Sequence, residues 1–342
     1  MPNLRSLSPE ELTQLVAGMG EKPFRAKQLY EWLWKNGAST FDDMSNLPAA
    51  FREKLSQEYT IDKVKIDHSQ TSRDRTIKTA FRLHDDHLIE GVLIPTDTRM
   101  TACISSQVGC SLACKFCATG KMDRLRNLDH WEIYDQVALI KKQAEDNYGI
   151  PLSNIVYMGM GEPLLNYANM LKSTQMISSP DGLGMSPQRI TVSTAGIAKM
   201  IKKLGDDEVK FNLALSLHAA SDAKRNEIMG INETNNLTVL AEALRYFHEK
   251  TGTRITFEYI VFDGFNDSLD DAADLARFAR NVPVKINLIE YNPIGDGLFQ
   301  NAKADRIEDF RNFLESRNLI VNVRRSRGKD IDAACGQLAN KG

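Results

Sequence analysis

The sequence predicts an α/β fold built on a mostly parallel sheet, with a helical accessory region in front of it. Three observations carry this. Six short β-rich runs alternate with segments of helical length between residues 100 and 291, and a strand-then-helix repeat lays its strands side by side in parallel. The chain has 342 residues, enough for one large barrel or for two to three smaller units. Residues 1–60, by contrast, read as helices.

The first helix is announced by Ser8-Pro9-Glu10-Glu11, which supplies a cap, a proline at the first helical position and a capping-box glutamate. A second starts at Lys22-Pro23, where Phe24, Ala26, Leu29, Tyr30, Leu33 and Trp34 form an apolar face with basic residues interspersed on the remaining surface. This region is a packed helical subdomain or a small basic module that helps hold nucleic acid. Residues 76–83 and 88–94 then alternate like strands around the polar His84-Asp85-Asp86-His87, a hairpin leading into the main domain. The expected parallel strands are 100–105, 154–160, 189–193, 210–217, 254–261 and 284–291, with helices over 131–148, 237–250 and 268–280 among the connections. Both an open doubly wound sheet and a partial barrel satisfy this pattern. Three units follow: residues 1–85 as an N-terminal helical accessory domain with the start of the hairpin, 86–330 as the α/β core, and 331–342 as a C-terminal segment.

Composition excludes several classes. With 42% hydrophobic and 26% charged residues the chain is neither disordered, collagen-like nor coiled coil as a whole. It contains no apolar run of the roughly 18 residues a membrane span needs, and MPNLRSLSPEEL is too polar for a signal peptide. A cytoplasmic protein without membrane partners is expected. A formal charge of −2 gives no global attraction to phosphate, so any nucleic-acid surface must be local. The basic stretches 121–126, 199–203 and 324–329 are its candidates, and phosphate contacts there would weaken with salt.

In either architecture, ligands gather at the carboxyl ends of the strands. There the chain places Gly159-Met160-Gly161-Glu162-Pro163, Ser193-Thr194-Ala195-Gly196, Ser216-Leu217-His218-Ala219 and Tyr291-Asn292-Pro293. Directly after the first core strand come Cys110, Cys114 and Cys117, three of five cysteines in the chain. A structural zinc site normally takes four protein ligands, which leaves this set one short. A four-iron four-sulfur cluster held by three thiolates keeps one iron open to chelate S-adenosylmethionine.

With this spacing, and with Phe116 before the last cysteine, the chain resembles the radical SAM superfamily. Cys103-Ile-Ser-Ser-Gln-Val-Gly-Cys110, Met158-Gly-Met-Gly-Glu-Pro-Leu164, Ser216-Leu-His218 and Ala334-Cys335-Gly336-Gln337 narrow the resemblance to the RlmN/Cfr family of RNA adenosine methyltransferases, across most of the chain. The resemblance implies a six-unit partial βα barrel of the radical SAM type with an N-terminal accessory domain. It implies one [4Fe-4S] cluster on Cys110, Cys114 and Cys117, and two S-adenosylmethionine molecules per turnover. Gly161, Glu162, Ser193, Ser216, Leu217, His218 and Asn292 would contact S-adenosylmethionine, and Glu90 takes the position of a general base. Its substrates are 23S ribosomal RNA and the adenosine 3′ of the anticodon in some tRNAs, with a flavodoxin-type electron donor.

The same resemblance explains the two remaining thiols. Adenine carbon 2 is too electron-poor to attack a methylsulfonium. One S-adenosylmethionine is implied to methylate Cys335, and a second is cleaved to a 5′-deoxyadenosyl radical that takes hydrogen from this methyl. The resulting carbon radical adds to the ring, and Cys103 resolves the protein–RNA crosslink by attacking the sulfur of Cys335, leaving a transient disulfide. The antibiotic-resistance branch of the family methylates carbon 8 with the same apparatus. The general-base position and the overall chain pattern point to the carbon-2 branch. Two further readings stay open on the residues alone: a non-enzymatic RNA-binding protein stabilised by metal, and a radical SAM enzyme with another substrate.

Overall fold

The computed structural model of the protein describes residues 1–340. It opens with three helices, α1 (Pro9–Gly18), α2 (Phe24–Trp34) and α3 (Ala49–Glu58). The capping box forms as the sequence predicts, with the Ser8 hydroxyl accepting from the Glu11 amide and the Glu11 carboxylate accepting from the Ser8 amide. A run of four strands follows, β1 (Lys65–Thr71), β2 (Ile77–Arg82), β3 (Leu88–Pro95) and β4 (Met100–Cys103).

After β4 comes a long loop carrying the two-residue strands β5 (Gln107–Val108) and β6 (Arg126–Asn127), and then α4 (His130–Tyr148). Strands and helices alternate from there: β7 (Asn154–Tyr157), α5 (Tyr167–Ser178), β8 (Ile190–Thr194), α6 (Ala198–Asp206), β9 (Asn212–Ser216), α7 (Asp222–Ile228) with α8 (Leu237–Thr251), β10 (Ile255–Val261), α9 (Leu269–Ala279), β11 (Val284–Glu290), α10 (Ala304–Glu315) and β12 (Ile320–Arg324). Left-handed Gly149 and Gly252 end α4 and α8, positions where a side chain would be strained.

Among the described residues ten strands form one sheet in the order β1-β2-β3-β4-β7-β8-β9-β10-β11-β12. β1 to β4 pair antiparallel, and every pairing from β4 to β12 is parallel. The six expected parallel strands are β4, β7, β8, β9, β10 and β11, and the helices between them cover the outside, as in the partial βα barrel. β10 is buried along its whole length, the signature of a strand covered on both faces. The hairpin is β2–β3. Two strands of this sheet were not read from the sequence, β1, which adds to the hairpin, and β12, a seventh parallel strand; nor were the short β5 and β6 outside it.

The accessory helices are tied to the barrel by a buried ion pair. Both guanidinium nitrogens of Arg5 donate to the Asp135 carboxylate on α4 at 2.6 Å, and Val64 adds its amide at 3.1 Å. The Arg5 guanidinium also lies 4.5 Å from the centre of the Trp34 ring. Both charged side chains are almost fully buried, and removing one partner strands the other in a low-dielectric setting. Arg5→Ala should therefore lower the unfolding free energy by about 3–5 kcal/mol. Urea denaturation followed by tryptophan fluorescence measures it, and a change under about 1 kcal/mol would remove the pair from this role.

Candidate active site

The cluster loop is shaped by backbone crowding. β5 and β6 pair antiparallel and pinch the loop at its base. Gly109 (φ +75°) sits so close to Asp123 that a Cβ would lie 2.0 Å from its carbonyl oxygen, and a Cβ on Gly120 would lie 2.8 Å from the Cys114 carbonyl oxygen. Only glycine fits either position. The loop thus presents Cys110, Cys114 and Cys117, all half-buried. Burial pushes the Cys110 thiol up to about 11 and raises Cys114 and Cys117 too. The charges of Cys110 and Cys117 act on Cys114, which places the three sulfurs within electrostatic reach of one another. No group of three His, Cys, Asp or Glu side chains among the described residues converges as tightly as a single metal ion requires. A four-iron cube asks for soft thiolates spread around it. The donor set fits that group, and binding it would release protons from the thiols.

Around this loop stand the carboxyl ends of the parallel strands. A Cβ on Gly159 would lie 2.7 Å from the Ile104 carbonyl carbon, and one on Gly161 (φ +94°) 2.5 Å from the Gln107 side chain, so the Gly-Met-Gly run lets the β7 turn close on the segment after β4. The buried Glu162 carboxylate accepts from the Ala195 amide at 2.7 Å and the Leu164 amide at 3.0 Å. Burial raises its pKa against those hydrogen bonds. Ser193 and Ser216 hydroxyls face each other at 3.2 Å. Leu217 turns its side chain into the core, so its backbone is what remains for a ligand.

His218 takes a left-handed conformation (φ +55°), and its Nδ1 accepts from the Ile260 amide at 3.1 Å. That bond puts the ring proton on Nε2. Burial, reinforced by Arg225, lowers its pKa to about 3, keeping the imidazole neutral. Phe116 of the cluster loop meets the His218 ring edge-on, centroids 4.6 Å apart. Asn292 donates to the Ser326 hydroxyl at 2.9 Å and to the Cys335 carbonyl at 3.2 Å, while its buried Oδ1 has no partner among the described residues. A donor such as an adenine amino group would satisfy it.

The last two thiols meet at the same edge. Cys103 ends β4, pairing with Val92 of β3 and Val156 of β7, and is buried. Burial first, and the nearby Cys335 second, push its thiol up to about 12. Cys335 is open to solvent, yet the protein around it pushes its thiol up to about 11, with Arg324 opposing and Cys117 adding.

Residues 2–61 match the family described as the ribosomal RNA large subunit methyltransferase N-terminal domain, and residues 104–278 match the radical SAM superfamily. A probable dual-specificity RNA methyltransferase RlmN from Cytophaga hutchinsonii is 61% identical over 338 residues, covering 99% of this chain and 93% of its own. The chain belongs to the RlmN family of radical SAM methyltransferases. A dual-specificity RNA methyltransferase RlmN from Anaeromyxobacter sp. is 45% identical over 346 residues, covering all of this chain and 91% of its own. The crystal structure of a radical SAM methyltransferase from Sphaerobacter thermophilus superposes with a TM-score of 0.93 over the whole of both chains at 37% identity.

Within this RlmN-family chain, Glu90 is no surface charge on an edge strand. It lies in β3, between β2 and β4, and is buried. One oxygen faces the Lys78 ammonium at 3.4 Å, and the other accepts from the Ala339 and Asn340 amides at 2.9 and 3.2 Å. The basic stretches are also more engaged than bare solvated faces. Lys121 pairs with Asp296, Arg126 with Asp85 and Glu132, and Arg324 with Glu258. Arg327 donates to the Asp74 carbonyl, while Arg124, Lys199, Lys202 and Arg325 are exposed.

Sequence reasoning missed Arg225. Fully buried on α7, it donates to the Leu217 carbonyl at 3.2 Å and the Ala195 carbonyl at 2.6 Å, tying the ends of β8 and β9 together beneath the motif turns. Its partners there are main-chain oxygens, which leave no trace in a sequence.

A thiol with a pKa near 12 is ionised in roughly one molecule in ten thousand at pH 8. Iodoacetamide should therefore label Cys103 in the resting protein slowly, at a rate still rising tenfold per pH unit up to pH 10. Peptide mass spectrometry reads the rate, and a plateau near pH 8.5 would contradict the burial described.

Proposed function

We propose that this chain forms 2-methyladenosine in 23S ribosomal RNA and at the adenosine 3′ of the anticodon in some tRNAs. The family membership supports RNA methylation. The observation that supports the chemistry is that the Cys335 segment is bonded to the cluster loop, through the Ala118 amide and the Gly336 carbonyl, with Cys335 within electrostatic reach of both Cys117 and Cys103.

Cys110, Cys114 and Cys117 would hold the [4Fe-4S] cluster, which supplies when bound the one-electron chemistry that an electron-poor ring carbon demands. Glu162 and Asn292, with Ser193, Ser216, Leu217 and His218 around them, border the space where S-adenosylmethionine binds. Asn292 offers an unpaired acceptor, and neutral His218 offers an Nε2–H. Cys335 takes the methyl group from one S-adenosylmethionine: the sulfur–methyl bond of the sulfonium breaks as the Cys335 sulfur–methyl bond forms, the thiol proton is lost and S-adenosylhomocysteine leaves. A second S-adenosylmethionine is spent on each turnover.

Once the Cys335 methyl carbon is bonded to the adenine ring, release needs a thiol aimed at the Cys335 sulfur. Cys103, which feels the charge of Cys335, would supply it. Its sulfur bonds that of Cys335, the carbon–sulfur bond breaks, and its electron pair leaves with the one-carbon unit. The hydrogen atom taken from the S-methyl leaves with the deoxyadenosyl part of the second S-adenosylmethionine, the ring carbon loses its proton to a base, the methylene carbon gains one to become the methyl group, and the bound cluster would take back the one unpaired electron. Glu90 is the base the family assignment implies, and its present partners require the C-terminal segment to move before it accepts a proton. A flavodoxin-type protein would donate the electron. The target adenosine must be unstacked to enter, and exposed Arg124, Lys199, Lys202 and Arg325 would hold phosphates nearby.

The test is anaerobic reconstitution with reductant, S-adenosylmethionine and a 23S rRNA fragment, followed by digestion and chromatography against authentic 2- and 8-methyladenosine. A 2-methyl product is expected from the wild type, with a loss of at least a thousandfold in Cys335→Ala. Cys103→Ala should accumulate a covalent protein–RNA adduct visible on a denaturing gel. An 8-methyl product would overturn the choice of carbon, and an undiminished product from Cys335→Ala would overturn the methyl carrier.

A further inference from the structure

The segment that bears Cys335 is a strap across the sheet. It leaves β12 and is fastened to the opposite, antiparallel side. Near its start the Gly328 amide donates to Asp74 at 2.9 Å, and Asp330 accepts from the Ser72 hydroxyl at 2.5 Å. Cys335 lies in its middle, where Asn292 holds its carbonyl and the Ala118 amide donates to the Gly336 carbonyl at 2.7 Å. Left-handed residues recur along it at Gly328, Asp332, Gly336 and Asn340, so the backbone bends at short intervals.

Its far end is held differently. Glu90 on β3 accepts from two consecutive strap amides, those of Ala339 and Asn340, and the Asn340 side chain donates to the Leu88 carbonyl at 2.7 Å. Behind Glu90 stands Lys78 of β2, their side chains 2% and 5% exposed respectively. In the β2–β3 register Ala80 faces Glu90 and Lys78 faces Val92, making Lys78 and Glu90 diagonal neighbours that a long side chain can bridge. A buried carboxylate is tolerable only where its lone pairs are used. Lys78 meets one oxygen and the strap meets the other.

We propose that Lys78 is a positioning residue for the Cys335 thiol, acting through Glu90 to clasp the end of the strap. Lys78 keeps the carboxylate turned toward the strap, and the two charge-assisted amide bonds set where residues 335–340 lie. The clasp joins two jobs at one carboxylate, since Glu90 cannot hold the strap amides and accept a proton through the same oxygen. This rests on the reading that Cys335 carries the methyl group.

The test uses Lys78→Met, which keeps the bulk of the side chain and removes its charge, and Ala339→Pro, which deletes one donor from the strap without touching the barrel. Hydrogen exchange read by mass spectrometry should show protection in residues 335–340 falling at least tenfold in both variants, with β3 and β4 unchanged. Iodoacetamide should label Cys335 at least five times faster, with Cys103 labelling unaltered. The S-methyl content of Cys335 after incubation with S-adenosylmethionine should fall in parallel. Unchanged protection and labelling in both variants would overturn the clasp. A wild-type protein that shows the protection but never acquires the S-methyl group would overturn the methyl-carrier reading and leave the clasp standing.

Discussion

Everything at the site depends on the double pairing of β4. This four-residue strand has an antiparallel neighbour on one side and a parallel neighbour on the other. Parallel pairing brings the carboxyl ends of β4, β7, β8, β9, β10 and β11 to one edge, together with the turns that follow them. Antiparallel pairing brings the early residues of β3 to the same edge, and the Ser105 hydroxyl bonds the Glu90 carbonyl at 2.6 Å. One strand thus joins Cys103, the cysteine-bearing loop and the carboxylate bonded to the strap.

A second constraint is the cost of charge in that space. Burial raises the pKa of all five thiols, so without cofactors the site rests in its neutral, protonated form. Three of these thiols would be held as thiolates by a bound cluster, whose charge would compensate them. Cys103 keeps a deep, protonated position, which protects it from adventitious oxidants, while Cys335 is exposed. The two thiols differ in access more than in acidity, Cys103 being buried and Cys335 exposed.

The parallel strands were legible because the central ones are largely enclosed on both faces and read as mostly apolar runs. Their ends were less so: the run 100–105 stops pairing at Cys103, after which Ser105 and Ser106 bond to Gln136 and Met160 instead. β1 and β12 escaped for the opposite reason. Both lie at the margins of the sheet and are largely exposed, so Lys65–Thr71 carries no alternation and Ile320–Arg324 reads as the lead-in to a basic stretch. Of the candidate site residues, Glu162, Ser193, Ser216, His218 and Asn292 sit at strand ends whose positions follow from the alternation itself. Arg225 and Lys78 did not stand out, because the first bonds largely main-chain oxygens and the second faces a carboxylate on a neighbouring strand.

By itself the sequence determined what depends on local spacing: three thiols within one loop, glycines where backbones cross too closely for a Cβ, and a strand–helix rhythm that admits a parallel sheet. Tertiary structure alone decided what depends on residues far apart in the chain. It chose the partial barrel over the open sheet, set Cys335 beside Cys103, and turned Glu90 from a charge in a hydrophobic run into the anchor of the C-terminal strap. The reason is physical. A buried charge or thiol takes its properties from whatever surrounds it in three dimensions, and those neighbours come from strands and loops whose order in space no local pattern encodes.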